Sequence, residues 1–467
     1  MIKKCQVFTP TQNVLELLNI VNYNSNLYGK KVIENACGDG NILTEIVKRY
    51  IEDALNNGIE INEIRQGLEN DIYGAEIDKI HYKKCLQNLN NVANEYGISN
   101  VKWQLFNTDI LKKTLSTKFD YIIGNPPYIS YRDLDEATRS FVKGKFKSCA
   151  YGKFDYCYAF IEASLDGLSD NGALAYIIPN SIFKNVFAQE LRNMILPYTV
   201  KILDYTTKKL FEQVLTSSAI LVCSKASNKD YIEYANVATK DVYNINKNSL
   251  TEKWVFTSNI TQKPAKRFGD YFAASISIAT LYNEAYILKK FAIEKNFIRV
   301  GDYCIERGIT REGVSPRSLN YSKKELILFP YKYKSNKLVR YKKEDFEKLY
   351  PEATKYLKSF SVQLAKRKSD KSVEWFEYGR TQALAHLNQP KLLLSTVVTK
   401  EIKVYQLSKE CIPYSGIYIV PKADLPLSFA KELLESDSFC KYVQGIGISA
   451  NGKSLRITAV DINNFEF

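Results

Sequence analysis

The chain has 467 residues, of which 45% are hydrophobic, and its 65 Lys and Arg against 51 Asp and Glu give a formal net charge of +14. This length is sufficient for two or more hydrophobic cores and suggests two or three domains. The sequence has no apolar run of about 18 residues and no signal-peptide core at its amino terminus, which argues against membrane-spanning and secreted proteins.

The cysteines and histidines argue against a structural zinc site. Nine cysteines are scattered without a Cys-x-x-Cys pair, and the only histidines are His81 and His386. Zinc sites need several such ligands at close spacing. Cys37, Cys157 and Cys223 lie in apolar segments, as small core residues do in a reducing compartment. We therefore expect a cytoplasmic protein that requires no metal.

Taken in chain order, the first 225 residues alternate strands and helices. This alternation predicts an α/β fold with a doubly wound, mostly parallel sheet. The predicted strands are Lys31–Asn35, Asp71–Glu76, Val101–Phe106, Phe119–Ile123, Ala173–Ile178 and Ser217–Cys223. The predicted helices begin near Asn41 and cover Lys79–Glu95 and the regions 155–168 and 181–195.

The second half of the chain has a different composition. Residues 225–268 are polar and predict a linker or the start of a new domain, and beyond them the alternation fades into mixed short strands and helices. Residues 241–467 hold 37 Lys and Arg against 24 Asp and Glu, whereas residues 1–240 hold 28 against 27. We expect a nearly neutral domain over 1–240 and a basic, polyanion-binding domain over 241–467. A generally basic proteome explains abundant lysine but not this segregation.

A glycine turn follows the first predicted strand. Gly38 and Gly40 stand in Glu34-Asn35-Ala36-Cys37-Gly38-Asp39-Gly40, where they allow a tight turn and close approach of a ligand to the backbone. Leu43 occupies the place of the third glycine of a dinucleotide fingerprint, and no Gly-Lys-Ser/Thr follows. The motif is therefore a weak signal by itself, equally compatible with a plain turn.

Acidic residues follow the next two strands. Glu76 and Ile77 end the second strand, and Asp109 follows the third. A carboxylate at this position accepts hydrogen bonds from ribose hydroxyls, and Asp109 could bind an adenine amine. Each acid alone is more often a helix cap or a surface charge. Together with Glu34 at the end of the first strand, Glu76 and Asp109 place acids at three successive strand ends. Without a phosphate-binding loop, this arrangement predicts S-adenosylmethionine as the cofactor.

The fourth strand runs directly into Asn125-Pro126-Pro127-Tyr128. Two prolines end the strand and stiffen the loop, and the carboxyl edge of an α/β sheet is where ligands bind. The loop presents an amide, a carbonyl and an aromatic ring, which suits a planar group that carries an NH2. A plain Pro-Pro turn is the alternative.

A basic and aromatic segment marks the second half of the chain. Residues 322–345 interleave the two residue types, which suits phosphate contacts with nearby stacking, although a solvated hairpin face would look the same. The candidate DNA-binding residues are Lys332, Lys334, Arg340, Lys342, Lys366, Arg367 and Arg380.

In this order the motifs resemble the DNA adenine N6-methyltransferases of γ type, which have an amino-terminal catalytic domain and a carboxyl-terminal target-recognition domain. The resemblance begins at Val7-Phe8-Thr9-Pro10-Thr11 and covers about residues 5–225. It implies a Rossmann-like S-adenosylmethionine-binding catalytic domain over 1–240 and a mixed α+β recognition domain for double-stranded DNA over 241–467. It also implies a restriction-modification context with a cognate endonuclease, or a solitary epigenetic enzyme.

The resemblance implies roles for individual residues. Asn125 and the Pro126 carbonyl would accept the two hydrogens of the adenine N6, and Tyr128 would stack on the flipped-out base. Phe211 is the candidate for the second stacking aromatic. The implied cofactor-binding residues are Phe8, Thr9, Pro10, Glu34, Gly38, Gly40, Glu76, Ile77, Asp109 and Asn125.

Two other functions fit parts of the sequence. A methyltransferase acting on RNA or on a protein glutamine also uses Asn-Pro-Pro-Tyr, but generally lacks a basic carboxyl-terminal domain. A catalytically silent DNA-binding subunit is disfavoured by the intact motifs. Cytosine C5 methylation is disfavoured because neither Cys149 nor Cys157 follows a proline. The target sequence cannot be read from these residues.

Overall fold

The computed structural model of the chain describes residues 9–205, 217–256, 266–399, 401–423, 425–450 and 454–467. The chain divides into two compact units, Met1–Ile260 and Thr261–Phe467. Among the described residues, no helix is both long enough and apolar enough to cross a membrane.

The first unit alternates helices with strands, as the sequence predicts. Its elements are α1 (Thr11–Ile20), β1 (Val32–Glu34), α2 (Asn41–Asn56), α3 (Ile61–Asp71), β2 (Ile72–Ala75), α4 (Lys79–Glu95), β3 (Gln104–Phe106), β4 (Phe119–Gly124), α5 (Glu136–Lys145), α6 (Cys157–Gly167), β5 (Leu168–Pro179), α7 (Gln189–Ile195), β6 (Thr199–Asp204), β7 (Ser218–Ser224), β8 (Tyr231–Asn236) and β9 (Val242–Asn246).

The described strands of the first unit form one sheet in the order β3-β2-β1-β4-β5-β7-β6-β8-β9. The five strands from β3 to β5 run parallel to one another, and β7 pairs antiparallel with both β5 and β6. Neighbouring residues along a strand point to opposite faces, so Ile33 and Ile122 enter one buried cluster while Val32 and Ile123 enter another. Because apolar cores cover both faces of the sheet, the sequences of its central strands are nearly continuous hydrophobic runs. The predicted α/β fold class is confirmed.

Two local predictions were wrong. Residues 225–268 are not simply a linker, because β8 and β9 form a hairpin at the edge of the sheet in which Ile232 and Tyr234 are buried. The first unit therefore extends past the expected boundary at residue 240. The predicted helix over 181–195 is reduced to 3₁₀ turns before α7, because the Asn185 side chain accepts the Phe187 N–H at 3.0 Å in place of a helical bond.

The second unit is a mixed α+β structure with several small sheets. Its elements are α8 (Phe268–Tyr271), β10 (Phe272–Ile276), α9 (Asn283–Tyr286), β11 (Ile287–Leu288), β12 (Ala292–Glu294), β13 (Phe297–Val300), β14 (Tyr303–Glu306), β15 (Thr310–Val314), α10 (Pro316–Asn320), β16 (Leu326–Leu328), β17 (Tyr331–Lys334), β18 (Lys337–Arg340), α11 (Lys343–Leu349), α12 (Pro351–Lys358), α13 (Ser361–Ala365), β19 (Lys391–Leu394), β20 (Val397–Val398), β21 (Tyr405–Leu407), β22 (Ile412–Pro413), β23 (Ile417–Pro421), α14 (Leu427–Glu435), α15 (Asp437–Ile446), β24 (Ile448–Ser449), β25 (Leu455–Arg456) and α16 (Ala459–Asn463). The main core of this unit is rich in aromatic residues, among them Tyr286, Phe346, Phe376 and Tyr378.

Candidate active site

The site predicted from the sequence lies where the strand order of the first unit reverses. The chain builds outward from β1 through β2 to β3 and then returns to place β4 on the other side of β1. In such sheets the ends of the two strands beside the reversal leave a crevice that holds ligands. Glu34 ends β1 and Asn125 follows β4, so both residues lie at this crevice.

Gly124 allows the two strand ends to approach closely. A Cβ atom added at Gly124 would lie 3.6 Å from Cγ of Glu34 and 3.4 Å from Cε1 of Tyr176. These are ordinary contacts for a single methyl group, but a larger side chain would have to displace Glu34 or Tyr176. Glu34 therefore lies directly beside the start of Asn-Pro-Pro-Tyr.

Asn125 is oriented by the amino-terminal Thr-Pro motif. Its Nδ2 donates to the Thr9 hydroxyl at 3.4 Å, whereas its Oδ1 is buried and accepts no hydrogen bond from any described residue. Thr9 is itself 5% exposed and accepts at its carbonyl from Asn41 Nδ2 at 3.4 Å. A buried acceptor without a donor is costly in a folded protein, so this oxygen is suited to a ligand donor.

Tyr128 is half-buried and contacts the apolar clusters on both faces of the sheet. Its hydroxyl is buried without a hydrogen bond from the described residues, and burial raises the pKa of this phenol well above its usual value. The loop continues into Ile129, whose carbonyl accepts from Tyr156 N at 2.9 Å. This pairing fixes the carboxyl side of the loop, while Thr9 contacts its amino side.

The glycine motif forms the turn that the sequence predicts. Gly38 and Gly40 have φ angles of +53° and +88°, which residues with a side chain rarely adopt. A Cβ atom at Gly40 would lie 2.7 Å from Cys85 Sγ, so both the backbone conformation and the packing require glycine there. Gly38 N donates to Glu76 Oε2 at 2.9 Å and ties the turn to the end of β2.

Glu76 is 8% exposed and is held by backbone groups on both oxygens. Its second oxygen accepts from Asp78 N at 2.8 Å. A carboxylate has about four acceptor sites, so two remain for a ligand. Ile77, the next residue, is 70% exposed although it is apolar, and Asp109 caps the short turn Ile110–Lys112. The ends of β1, β2 and β3 thus bring Glu34, Glu76 and Asp109 to one edge of the sheet.

Glu34 is the most unusual acid of the site. It is 3% exposed, and its Oε2 has no hydrogen-bond partner among the described residues. Burial raises the pKa of the Glu34 carboxyl well above its ordinary value. The nearby Cys85 and Glu76 raise it further, against one backbone hydrogen bond from Leu43. A cation bound here would relieve this unfavourable environment.

The structure adds residues that sequence reasoning missed. Asp155, half-buried, accepts from Cys157 N at 3.1 Å, and burial raises the pKa of its carboxyl to about 6. The sequence signal that could have identified Asp155 is its place in the segment Gly152-Lys153-Phe154-Asp155. Asp39, within the glycine motif, pairs with His81 and Lys84 at 2.5 Å each. Burial raises the pKa of Asp39, but these two bonds outweigh it and leave the pKa below its usual value.

Two predicted site residues, Phe8 and Phe211, lie outside the described residues. Among the residues that the structure does describe, no group of three or more His, Cys, Asp or Glu side chains is arranged to hold a metal ion.

The predicted DNA-binding residues of the second unit fall into two groups. The three arginines are engaged inside the unit: Arg340 pairs with the fully buried Glu377, Arg380 pairs with Asp370, and Arg367 donates to the Thr280 and Glu377 carbonyls. The lysines are exposed, and they are Lys332, Lys334, Lys342 and Lys366. Lys332 Nζ lies 4.9 Å from the centre of the Tyr341 ring on the neighbouring segment.

Residues 25–211 match the Eco57I restriction-modification methylase family. The matched segment contains the glycine motif, the acidic strand ends and Asn-Pro-Pro-Tyr. The resemblance to restriction-modification methyltransferases is confirmed.

Similar proteins agree with this assignment. The chain is 25% identical over 330 residues to the Type II restriction enzyme and methyltransferase RM.Eco57I of Escherichia coli, covering 61% of this chain and 33% of that protein. Type II methyltransferase M.BstVI of Geobacillus stearothermophilus is 30% identical over 240 residues, covering 48% of this chain and 42% of its own length. The chain therefore spans less than half of these curated relatives.

Solved structures extend the likeness in fold beyond the matched segment to the second unit. The Type IIL restriction-modification enzyme MmeI, solved in complex with DNA, has a TM-score of 0.58 at 14% identity, over 98% of this chain and 66% of that one. A DrdV–DNA complex has a TM-score of 0.56 at 12% identity, over 89% of this chain and 49% of that one. At this identity the likeness concerns the fold alone.

Proposed function

We propose that this protein transfers a methyl group from S-adenosylmethionine to N6 of an adenine within a specific sequence of duplex DNA. The observation that carries the proposal is the state of Asn125. One end of its amide is bound to Thr9, and the other is a buried acceptor without a donor from the described residues. The acceptor lies at the crevice of a domain whose relatives are named DNA methyltransferases.

An adenine amine suits this acceptor. The N6 group has two hydrogens in the plane of the base, and Asn125 Oδ1 and the Pro126 carbonyl would accept one each. Its nitrogen is a poor nucleophile because its lone pair is delocalised into the ring. Two acceptors fixed before the reaction favour a pyramidal nitrogen and stabilise the positive charge that develops on it.

The remaining residues supply position rather than covalent chemistry. Tyr128 keeps its hydroxyl proton because burial raises its pKa, and its ring offers a face on which the extruded adenine stacks. Thr9 holds the amide of Asn125 so that Oδ1 faces the crevice. Since N6 is paired inside duplex DNA, the base must leave the stack to reach this loop.

The residues at the strand ends fit S-adenosylmethionine. Glu76 retains acceptor capacity for ribose hydroxyls, Ile77 offers an exposed apolar side chain to cover the adenine, and Glu34 offers a buried carboxyl to a cationic group. Asp109 lies at the end of β3 for the adenine amine. The cofactor supplies an activated methyl group, so the protein has chiefly to position the acceptor nitrogen.

We further propose that the basic second unit provides the grip on DNA and the recognition of its sequence. The exposed lysines of this unit, rather than its internally paired arginines, are the phosphate contacts in this proposal. The proposal includes a cognate restriction endonuclease, from whose cleavage the methylation would protect the DNA.

The test is transfer of labelled methyl to unmethylated plasmid DNA, followed by nucleoside analysis. We expect N6-methyladenine from the wild type, and a loss of about 100-fold or more for Asn125→Ala, as for removal of one fixed transition-state hydrogen bond. Asn193→Ala, on the exposed side of α7, is the matched control and should retain activity. Label on cytosine, RNA or protein instead of adenine would contradict the proposal.

A further inference from the structure

An exposed apolar group borders the candidate active site. Tyr151 is 86% exposed, Val186 is 70% exposed and Phe187 is 40% exposed, and together they are called the rim cluster. The two loops that carry them are packed together, because a Cβ atom at Gly152 would lie 2.1 Å from the Phe187 ring. Gly152 has a φ of +72°, which glycine adopts without strain. Large side chains grouped at a surface in this way are typical of interaction sites.

Val186 and Phe187 of the rim cluster lie on a loop that Arg192 holds in place. Arg192 is 1% exposed, and its guanidinium donates to the Ile182 carbonyl at 2.7 Å and to the Asn185 carbonyl at 2.8 Å. Asn185 in turn accepts the N–H of Phe187 at 3.0 Å. Burying a guanidinium is costly unless its donors are satisfied, so the two bonds from Nη1 favour this conformation of the loop, although Nε has no hydrogen-bond partner among the described residues. The Phe187 ring is therefore preorganised at the surface.

Sheet topology places the rim cluster beside the catalytic loop. Strands β4 and β5 are parallel neighbours, so Asn-Pro-Pro-Tyr and the loop with Val186 and Phe187 leave the same edge of the sheet. The segment after Tyr151 also comes close to the end of the Asn-Pro-Pro-Tyr loop, because Asp155 forms an antiparallel bridge with Ser130. Tyr131 N donates to the Phe154 carbonyl at 3.1 Å in the same pairing.

The surroundings of the rim cluster are basic. Residues 139–153 contain five Lys and Arg and no Asp or Glu, although residues 1–240 as a whole carry 28 basic against 27 acidic residues. Arg139 and Lys143 lie over the Tyr131 ring, 5.2 and 5.1 Å from its centre. An apolar protrusion that adjoins this basic segment is complementary to DNA, whose base stack is apolar and whose backbone is anionic.

We propose that the rim cluster inserts into duplex DNA next to the target adenine, with Tyr151 and Phe187 stacking on the base pairs left exposed when the adenine moves into the pocket. This inference rests on the proposed function and adds the partner surface of the same site. Apolar side chains that enter the base stack offset part of the cost of unstacking. The rim cluster therefore acts on base extrusion and not on methyl transfer itself.

The test compares two duplexes made after the methylated site of the wild type has been mapped by sequencing. One duplex is fully paired, and the other lacks the base opposite the target adenine, so that this adenine is already unpaired. For Tyr151→Ala/Phe187→Ala we expect kcat/KM to fall about tenfold or more on the paired duplex and less than about threefold on the other, because the lost stacking matters most where the adenine must first leave the base stack. Tyr151→Phe should retain wild-type rates on both.

The control is Tyr28→Ala, an exposed tyrosine that precedes β1 and so lies at the opposite edge of the sheet. It should leave the ratio of the two rates unchanged. An equal fall on both duplexes, or no fall on either, would overturn the role of the rim cluster while leaving the methyltransferase proposal intact. A change of oligomeric state without a change in rate would assign the cluster to self-association instead. Absence of transfer to DNA by the wild type would remove both proposals.

Discussion

The amide nitrogen of Asn125 lies 3.4 Å from the hydroxyl oxygen of Thr9, which is 116 positions earlier in the chain. This bond joins the amino-terminal Thr-Pro motif to the Asn-Pro-Pro-Tyr loop. It selects one of the two orientations of the amide, with the oxygen left as the acceptor at the crevice. The amino-terminal motif thus takes part in orienting the acceptor as well as in forming the predicted cofactor site.

Thr9→Val tests this orientation. Valine has nearly the same shape but cannot accept the Nδ2 proton, so the amide would lose its fixed orientation. We expect kcat to fall about fivefold, as for loss of one hydrogen bond of about 1 kcal/mol. The measurement is kcat and KM for DNA methylation, with Thr11→Val, on the exposed start of α1, as the control. An unchanged kcat would mean that Asn125 is oriented by other contacts.

Glu34→Gln separates stability from ligand binding. The folded protein raises the pKa of Glu34 above its unfolded value, so the stability that this carboxyl contributes is present at low pH and is lost as pH rises through the raised pKa. At neutral pH the neutral glutamine avoids this cost. We therefore expect a higher melting temperature for the cofactor-free variant, by about 2–4 °C per kcal/mol gained.

The same variant should bind S-adenosylmethionine more weakly, because the carboxylate that faces a cation is gone. We expect the Kd measured by titration calorimetry to rise about tenfold, which corresponds to about 1.4 kcal/mol. Thermal unfolding and calorimetry together provide readouts that do not depend on turnover. Tighter or unchanged cofactor binding would contradict the role of Glu34.

Asp155→Asn should stabilise the protein in a pH-dependent way. Burial raises the pKa of Asp155 to about 6, so its favourable contribution is complete below about pH 4 and is lost as pH rises through 6. Asparagine can still accept from Cys157 N without carrying a charge. We expect the free energy of unfolding, measured with urea at pH 8, to be about 1–3 kcal/mol higher for the variant than for the wild type. This difference should vanish near pH 4.

The control for this pH dependence is Asp135, which caps α5 by accepting from Thr138 N at 2.9 Å. This hydrogen bond lowers the pKa of Asp135, so its contribution is present at neutral pH and is lost on acidification. Asp135→Ala should therefore destabilise the protein at pH 8, and this effect should diminish as the solution is acidified through the lowered pKa of Asp135. The same pH dependence for both substitutions would contradict the assigned causes.

Arg340→Ala and Lys334→Ala should have different effects although both residues were expected to contact DNA. Arg340 is paired with Glu377, which is 0% exposed, so its removal leaves a buried charge uncompensated. We expect Arg340→Ala to lower the free energy of unfolding by about 2–4 kcal/mol. Lys334 is exposed on β17, and its replacement should leave stability within about 0.5 kcal/mol.

Lys334→Ala should weaken DNA binding and lower the slope of log K against log salt by about 0.9, the value for one phosphate contact. Arg340→Ala should leave this slope unchanged in the folded fraction. The measurement is fluorescence anisotropy of a labelled duplex at several salt concentrations. A reduced slope for Arg340→Ala would show that this arginine contacts phosphate despite its pairing with Glu377.

The sequence alone was sufficient to predict most of the alternating strands and helices of the first unit. The glycine turn at Gly38 and Gly40, the strand that ends at Asn-Pro-Pro-Tyr and the helix over Lys79–Glu95 depend on residues close together in the chain. Asp78, for example, caps that helix by accepting from Ile80 N at 2.7 Å. Short-range chemistry of this kind determines turns, caps and strand ends, and therefore the edge at which the candidate site lies.

Only the tertiary structure decided which partner each side chain has. The polar stretch after residue 225 supplies β8 and β9 because a sheet edge is available to pair with it. Arg340 meets Glu377 across 37 positions, and Thr9 meets Asn125 across 116. Such pairs depend on how distant segments pack and not on local pattern. For this reason the sequence could predict the chemical groups of a candidate site, whereas the fold determined which partners those groups have.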